Sequence, residues 1–356
     1  MSIFDKVTIV IPSYKPDEKL MSTLRNIIST GFTDIIVVDD GGGKNFAHIF
    51  DEVKQIPECT VLHHEVNRGK GAALKTAFAY YLNNRHDSIG LVTADADGQH
   101  LSADILRCAE VMAESESIVL GVRDFSQEHV PPRSKAGNRF TTGFFRVFFG
   151  KKISDTQTGL RAIPWKYVEP ISKVKGDRYE YETHMLFLIS KAKMPLCEQI
   201  IDTVYIDDNS SSHFRVVRDS IRIYKTVLLF ALFSIISTII DLGSILGQNS
   251  VLTDSALNLS FFAIAVVYAR ILSGIINYLL NRSFVFDKDG GYGSFFKYFA
   301  VLIPIFAVTV GAAYFLDILS APAWLSLLVK VLLSLLLFPL SFRLQHNFVF
   351  NKIVRK

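Results

Sequence analysis

The 356-residue chain holds only three cysteines, Cys59, Cys108 and Cys197, and no two of them are closely spaced. That excludes a disulfide framework and a zinc-binding set, and fits reduced, mostly buried thiols. Nothing at the N-terminus reads as a signal peptide, because Asp5 interrupts the first residues and the apolar run Val7–Ile11 is too short for a hydrophobic core region. A phosphate-binding P-loop is absent as well: Gly43-Lys44-Asn45 lacks its spacing. Charge is scarce after Lys225. Residues 226–356 contain nine Lys and Arg and five Asp and Glu, against 29 and 29 in residues 1–225, so the whole net charge of +4 arises in the second part. With 49% hydrophobic residues and a mean hydropathy of +0.28, this excludes a uniformly soluble globule, a disordered chain and a nucleic-acid binder with a basic fold. A charge-balanced domain followed by a membrane domain remains.

The second part contains long hydrophobic runs. Four apolar segments, roughly 226–247, 257–280, 297–319 and 324–345, each approach the ~20 residues that span a bilayer core. Arg215, Arg218, Arg222 and Lys225 precede the first, Arg282, Lys288 and Lys297 lie between the second and third, and Arg343, Lys352, Arg355 and Lys356 close the chain. The connecting stretches 248–256 and 320–323 have no Lys or Arg. The positive-inside rule then predicts an integral protein of the cytoplasmic membrane, with both termini and the large domain on the cytoplasmic side. Asp241, Arg270 and Lys330 sit inside expected spans, and Pro304 and Pro339 interrupt two of them. Ionisable groups in lipid point to function or to a structural pair, Asp241 with Arg270 or Lys330.

This part also repeats. Asn281-Arg-Ser-Phe-Val-Phe286 closes the second segment and Gln345-His-Asn-Phe-Val-Phe350 closes the fourth, 64 residues later. Two helix pairs with the same closure suggest a duplicated unit, as carriers have. With Ser237-Thr-Ile-Ile-Asp241 and Asn277-Tyr-Leu-Leu-Asn-Arg282, residues 226–356 resemble the GtrA-like family of four-span proteins, which implies handling of polyprenyl-linked sugars.

Residues 7–125 alternate strand-like and helical patterns. Val7–Ile11, Asp34–Val38, Thr60–His63, Ile89–Thr93 and Ile118–Leu120 read as strands, and Leu20–Ser29, Gly71–Leu82 and Ser102–Ala113 as helices. Such alternation predicts a mostly parallel α/β sheet with ligands beyond the carboxyl ends of its strands. Polar motifs stand there. Pro12-Ser13-Tyr14 follows the first strand, and Asp39-Asp40-Gly41-Gly42-Gly43 the second. Two carboxylates there suit ribose hydroxyls and a base edge, or simply form an acidic turn. Asn67-Arg68-Gly69-Lys70-Gly71-Ala72 opens a helix, where a lysine can meet an anion. Asp95-Ala96-Asp97-Gly98-Gln99-His100 follows the fourth strand. Carboxylates two apart on an extended chain point the same way. They can share one divalent cation, Mg2+ or Mn2+, with Gln99 as a neutral oxygen ligand and positions left for a diphosphate.

Those motifs, with Gly121-Val-Arg123 and Asp155-Thr-Gln-Thr-Gly-Leu-Arg161, make residues 7–210 resemble the family 2 glycosyltransferases. The closest likeness is to the polyprenyl-phosphate type similar to dolichol-phosphate mannose synthase. The resemblance implies an α/β GT-A (Rossmann-like) cytoplasmic domain followed by an all-α membrane domain with four transmembrane helices. It implies that Pro12, Tyr14, Asp39, Asp40, Lys70, Asp95 and Ala96 bind the nucleotide sugar. Asp95, Asp97 and Gln99 would hold the metal, with Asp97, Arg123 and Arg139 serving the reaction at the sugar-phosphate. Two departures lie on the nucleotide side: Lys15 stands where the family often has Asn, and Gly42 where Ser is usual.

Around residues 211–225, Arg215, Arg218, Arg222 and Lys225 form a stripe beside Phe214, Val217, Ile221 and Tyr224. The pattern predicts an amphipathic helix on the membrane surface or a positive-inside anchor. By family analogy Ser212, His213 and Arg215 contact the acceptor phosphate. Phe140, Phe144, Phe145, Phe148 and Phe149 read equally as an interfacial patch and as core. The expected domains are thus 1–210, 211–225 and 226–356. The expected reaction is inverting transfer of a hexose, from UDP-glucose or UDP-N-acetylglucosamine, to polyprenyl (undecaprenyl) phosphate. A phosphate monoester has a second pKa near ~6 and needs positioning among cations more than a general base. A processive polysaccharide synthase fits less well, because Gln157-Thr-Gly-Leu-Arg161 is followed by Ala162 rather than Trp. A carrier with a non-catalytic sugar-nucleotide domain is the other alternative. Nothing points to nucleic acid, and a homo-oligomer is compatible with the sequence.

Overall fold

The computed structural model describes residues 2–127, 130, 132–150, 152–202, 225–237, 239, 268, 271–286, 293–320 and 322–350. They belong to two compact units, Met1–Ile223 and Tyr224–Lys356. Ser212, His213, Arg215, Asp241 and Arg270 lie outside the described residues, as does the expected juxtamembrane helix up to residue 224.

The first unit is built on seven strands: β1 (Val7–Ser13), β2 (Ile35–Asp39), β3 (Cys59–His63), β4 (Gly90–Thr93), β5 (Ile118–Arg123), β6 (Arg161–Pro164) and β7 (Leu196–Ile201). Their order is β3-β2-β1-β4-β6-β5-β7. All neighbours are parallel except β6, which runs antiparallel to both β4 and β5. Strand β2 is buried along its whole length and β1 nearly so, which explains their continuous Val and Ile runs: a parallel sheet is covered on both faces.

The helices of this unit are α1 (Glu18–Thr30), α2 (Ala47–Val53), α3 (Lys70–Asn84), α4 (Ser102–Ser115), α5 (Pro132–Phe149), α6 (Trp165–Ser172) and α7 (Glu180–Lys191). Helix α1 begins where the Asp17 carboxylate accepts the Lys19 N–H and ends at Gly31, whose φ of 119° only glycine adopts freely. Val7, Ile9 and Ile11 of β1 and Ile35 and Val37 of β2 share one core cluster with Leu20, Leu24 and Ile27 of α1 and Ile105, Cys108 and Met112 of α4. Strand alternation turns Val10, Ile36 and Val38 to the other face, where α3 packs. In α5, Phe145 and Phe149 are buried, with ring centroids 5.2 and 4.1 Å from Phe187 of α7, whereas Phe140 is 64% exposed. The aromatic stretch therefore divides between core and surface. The three cysteines are free, and burial pushes the Cys59 and Cys108 thiols up to about 12, which keeps them unreactive.

The second unit contains α8 (residues 225–237), α9 (residues 271–280), α10 (Ser294–Ile318) and α11 (Ala323–Leu344). Pro304 lies within α10, and Lys330 and Pro339 lie within α11. Taken over the described residues, no helix is long and apolar enough to cross a membrane. Helices α9 and α11 each run into a π-helical turn, Asn281–Val285 and Gln345–Val349, and the turns end at Phe286 and Phe350.

The 64-residue offset read from the sequence reappears as geometry. Phe286 and Phe350 are equivalent and stack on each other at 4.5 Å. Phe286 lies 5.9 Å from Phe342, and their counterparts Phe350 and Tyr278 lie 5.9 Å apart. Phe230 lies 5.2 Å from Phe342, and their counterparts Ser294 and Tyr278 join hydroxyls at 2.8 Å. Exchange of partners between two equivalent halves is the signature of a two-fold axis. The two helix pairs are therefore related by a pseudo-two-fold, with α8 against α11 and α10 against α9.

Candidate active site

The parallel register brings three carboxyl ends to one edge of the first unit. Ser13 pairs with Asp39 and Val10 with Thr93, and the chain leaves β1, β2 and β4 there through the three motifs singled out in the sequence. Asp40 N–H bonds to Ser13 O at 2.8 Å and Ala94 N–H to Val10 O at 3.0 Å. Pro12, near the end of β1, and Tyr14, just beyond it, are both half-buried. Lys15 has a φ of 53° and sets its ammonium 5.3 Å from the Tyr14 ring centroid. That left-handed backbone suits Asn better than Lys, which gives a physical sense to one of the departures from the family pattern.

The two carboxylates after β2 have different surroundings. Asp39 accepts the Gly42 N–H at 2.9 Å and pairs with Nδ1 of the exposed His63 at 2.8 Å. Asp40, almost fully buried, accepts the Arg68 N–H at 3.0 Å, the Gly69 N–H at 2.7 Å and the Asn67 side-chain amide at 3.0 Å. Its other contact is His64 Nδ1 at 2.7 Å. Expected at the nucleotide, the Asp40 carboxylate is occupied by the protein itself and braces the turn that presents Lys70. Gly41 is required here: at φ +72° its missing Cβ would stand 2.2 Å from the Val66 carbonyl carbon.

Lys70 opens α3 and its ammonium lies 2.7 Å from Asp95 Oδ1 and 3.0 Å from Glu182 Oε1 of α7. Burial works against the charged lysine, but the two carboxylates overcome it and hold the ammonium above its ordinary range. Burial likewise opposes ionisation of Asp95, yet Lys70 and then His100, 3.4 Å from Oδ2, keep its carboxyl well below the usual carboxylate range. Asp97 behaves oppositely: burial, and next the neighbouring Asp95 charge, push it up. Its Oδ1 accepts the Gln99 N–H at 3.1 Å.

The 155–160 loop, which leads into β6, packs against Asp95. Thr93 Oγ donates to Gly159 O at 2.7 Å, and a Cβ on Gly159 would lie 2.5 Å from Asp95 Oδ2. Asp155, fully buried, receives Arg123 Nε at 2.7 Å and Nη2 at 3.2 Å. Arg161, also buried, donates to the Thr158 carbonyl at 3.1 Å and the Glu182 carbonyl at 2.6 Å. Lys70, Asp95 and Glu182 are thus in direct contact, and Arg123 is bound to Asp155. Arg139 lies on the exposed side of α5, with no hydrogen bond or ion pair to these groups among the described residues. In the sequence Glu182 stands out only as part of the acidic stretch Asp177–Glu182, which with Asp155 reads as a candidate helper for orienting the acceptor or sugar hydroxyls; no local motif points to its contact with Lys70.

The donor set suits a hard divalent cation: two carboxylates that repel each other and one side-chain amide, all oxygen. Among the described residues no three Asp, Glu, His or Cys side chains form a ready-made cage. Mg2+ sites of one or two carboxylates completed by substrate phosphates have this composition.

Comparison with known proteins adds the lineage. Residues 8–168 match the model of glycosyl transferase family 2. Residues 229–350 match that of the GtrA/DPMS transmembrane domain. The chain is 27% identical over 221 residues to the UDP-N-acetylglucosamine--dolichyl-phosphate N-acetylglucosaminyltransferase of Methanococcus voltae, covering 56% of this chain and 86% of that one. It is 30% identical over 172 residues to the undecaprenyl-phosphate 4-deoxy-4-formamido-L-arabinose transferase of Proteus mirabilis. That match covers 46% of this chain and spans about half, 51%, of the relative. A solved structure, glucosyl-3-phosphoglycerate synthase from Mycobacterium tuberculosis, aligns with a TM-score of 0.47 at 12% identity, over 65% of this chain and 79% of that one. The chain is a glycosyltransferase that joins a family 2 domain to a membrane-associated GtrA/DPMS-type domain, and it is related to the polyprenyl-phosphate sugar transferases.

Proposed function

We propose that this enzyme transfers a hexose, with inversion, from a nucleotide sugar to polyprenyl phosphate, giving a lipid-linked sugar for cell-envelope glycosylation. UDP-glucose and UDP-N-acetylglucosamine are the favoured donors and undecaprenyl phosphate the favoured acceptor. The observation that carries this is the meeting of Lys70, Asp95 and Glu182 beside Asp97 at the carboxyl edge of the sheet. The two relatives support the acceptor class: their names share a polyprenyl phosphate and differ in the sugar.

Pro12, Tyr14 and Asp39 line the nucleotide end, with Asp40 bracing the Lys70 turn. Asp95, Asp97 and Gln99 would hold Mg2+ or Mn2+, which when bound offsets charge on the diphosphate leaving group. Lys70 supplies a fixed positive charge to the same diphosphate. Arg123, oriented by Asp155, and Arg139 serve the sugar-phosphate side. Ser212, His213 and Arg215 receive the acceptor phosphate. A phosphate monoester, largely dianionic at pH 7 with its second pKa near ~6, attacks the anomeric carbon without a strong general base. Residues 1–210 form the catalytic domain, 211–225 a membrane-surface helix, and 226–356 a four-span domain with both termini in the cytoplasm.

The test is transfer of labelled sugar from a panel of UDP- and GDP-sugars to undecaprenyl phosphate by the purified protein with Mg2+ or Mn2+. A lipid-extractable product from one donor, reduced at least ~100-fold by Asp97→Ala and lost in EDTA, is expected. No lipid product from any donor would sink the proposal, and retained anomeric configuration would sink the inverting step.

A further inference from the structure

Lys70 is presented between two glycines, and the structure gives a reason that phosphate binding alone does not. A Cβ on Gly69 would stand 2.4 Å from the Asp177 carbonyl oxygen, and one on Gly71 would stand 2.5 Å from Tyr181 Cβ and 2.9 Å from the Arg178 carbonyl. The segment 177–181 therefore rests directly on the backbone either side of Lys70. It is tied there by Ala72 N–H to Asp177 O at 2.9 Å, by Lys75 to the Asp177 carboxylate and by Arg178 Nη1 to Asn67 at 3.2 Å. The consequence is that Glu182, 112 positions further along the chain, sets its carboxylate over the Lys70 ammonium. The Lys70, Asp95 and Glu182 side chains are 17%, 31% and 11% exposed, so these charges are poorly screened by solvent. Behind Glu182, the Arg161 guanidinium donates to the Glu182 carbonyl and has Nη2 without a partner among the described residues.

We propose that Glu182 is a positioning residue that draws Lys70 off Asp95, so that the Asp95 carboxylate can take a divalent cation. Lys70 and a cation compete for the same Oδ1. With Glu182 present the ammonium has a second carboxylate to move to, and the cost of opening Asp95 falls. Without it, Lys70 is left to Asp95 alone. This rests on the assignment of Asp95 and Asp97 to the metal in the proposed function.

The experiment is Mn2+ binding to the purified full-length protein in detergent, followed by electron paramagnetic resonance with no donor or acceptor present. Glu182→Gln is expected to weaken Mn2+ binding about tenfold, a coupling ordinary for contacting charges. In a Lys70→Gln background the same change is expected to have no effect, because Glu182 acts only through Lys70. Equal weakening in both backgrounds would mean a plain charge effect and overturn the proposal, as would Glu182→Gln binding like the unaltered protein. Glu182→Asp keeps the charge but shortens the reach; it is expected to behave as Glu182→Gln does, and it replaces that variant in the cycle if Glu182→Gln does not fold. An unaltered protein that binds no Mn2+ would overturn the metal assignment itself, an outcome separate from either of the others.

Discussion

Two carboxylates two residues apart are shifted in opposite directions from the ordinary carboxylate range, and this can be measured as stability. Asp95 is lowered against its burial by Lys70, so its contribution is present above the unfolded-state pKa and is lost as pH falls through the lowered folded value. Asp97 is raised by burial and by Asp95, so its folded state favours the proton, and ionising it costs stability as pH rises through the raised value. In EDTA at pH 7, Asp97→Asn is expected to raise the thermal midpoint and Asp95→Asn to lower it. The latter should cost about 1.5–3 kcal/mol for a lost charged hydrogen bond. The gain from Asp97→Asn should vanish as the pH drops below the unfolded-state carboxylate pKa; differential scanning calorimetry across pH reads both. Equal signs for the two variants would contradict the assignment. Both aspartates were legible in the sequence because the motif is local. Glu182 was legible only as part of the acidic stretch Asp177–Glu182, a candidate helper for orienting the acceptor or sugar hydroxyls; its contact with Lys70 was not, because that contact is made by tertiary packing of α7 onto α3, and Asp40 was read as a nucleotide contact and not as the brace of the Lys70 turn.

The elements follow a similar division. Strands β1 to β5 and helices α1, α3 and α4 were readable within a few residues, since buried parallel strands are apolar throughout and amphipathic helices keep their period. Strands β6 and β7 were not. β6 is only Arg161-Ala-Ile-Pro164, begins with a buried arginine and ends at a proline, and β7 is an edge strand with Glu198 and Gln199 in its middle. Their pairing decides the site nevertheless. By running antiparallel between β4 and β5, β6 brings the 155–160 loop to the carboxyl end of β4 and sets Gly159 against Asp95. Gly159→Ala is expected to displace the Asp95 carboxylate, a flexible side-chain end, rather than the backbone. Circular dichroism should be unchanged and stability lowered by about 1–3 kcal/mol, while Mn2+ affinity falls about tenfold, the effect of misplacing one of few ligands. Unaltered Mn2+ binding would show that Asp95 is not held by the 155–160 loop.

At the scale of the whole molecule, the two units carry different kinds of information. The catalytic unit is an open sheet whose chemistry sits at one edge, and the second unit is a duplicated helix pair folded back on itself. The repeated Phe-Val-Phe closures revealed the duplication, but the partner exchange between halves is visible only in three dimensions. Phe286→Ala and Phe350→Ala are each expected to cost about 3 kcal/mol of the second unit's stability. The double variant should cost clearly less than twice that, because both changes remove one stacked pair; thermal unfolding in detergent measures it, and full additivity would deny the pairing. Joining the halves in one chain has a further result. A symmetric assembly of two identical helix pairs must show the same chemistry twice. Here Tyr278 bonds the Ser294 hydroxyl on one side while at the matching positions Phe342 packs against the Phe230 ring, and Arg282 on one side corresponds to His346 on the other. The fused chain is free to present a guanidinium at one of two matching positions and an imidazole at its twin, so an object that bound along the axis would meet a left and a right.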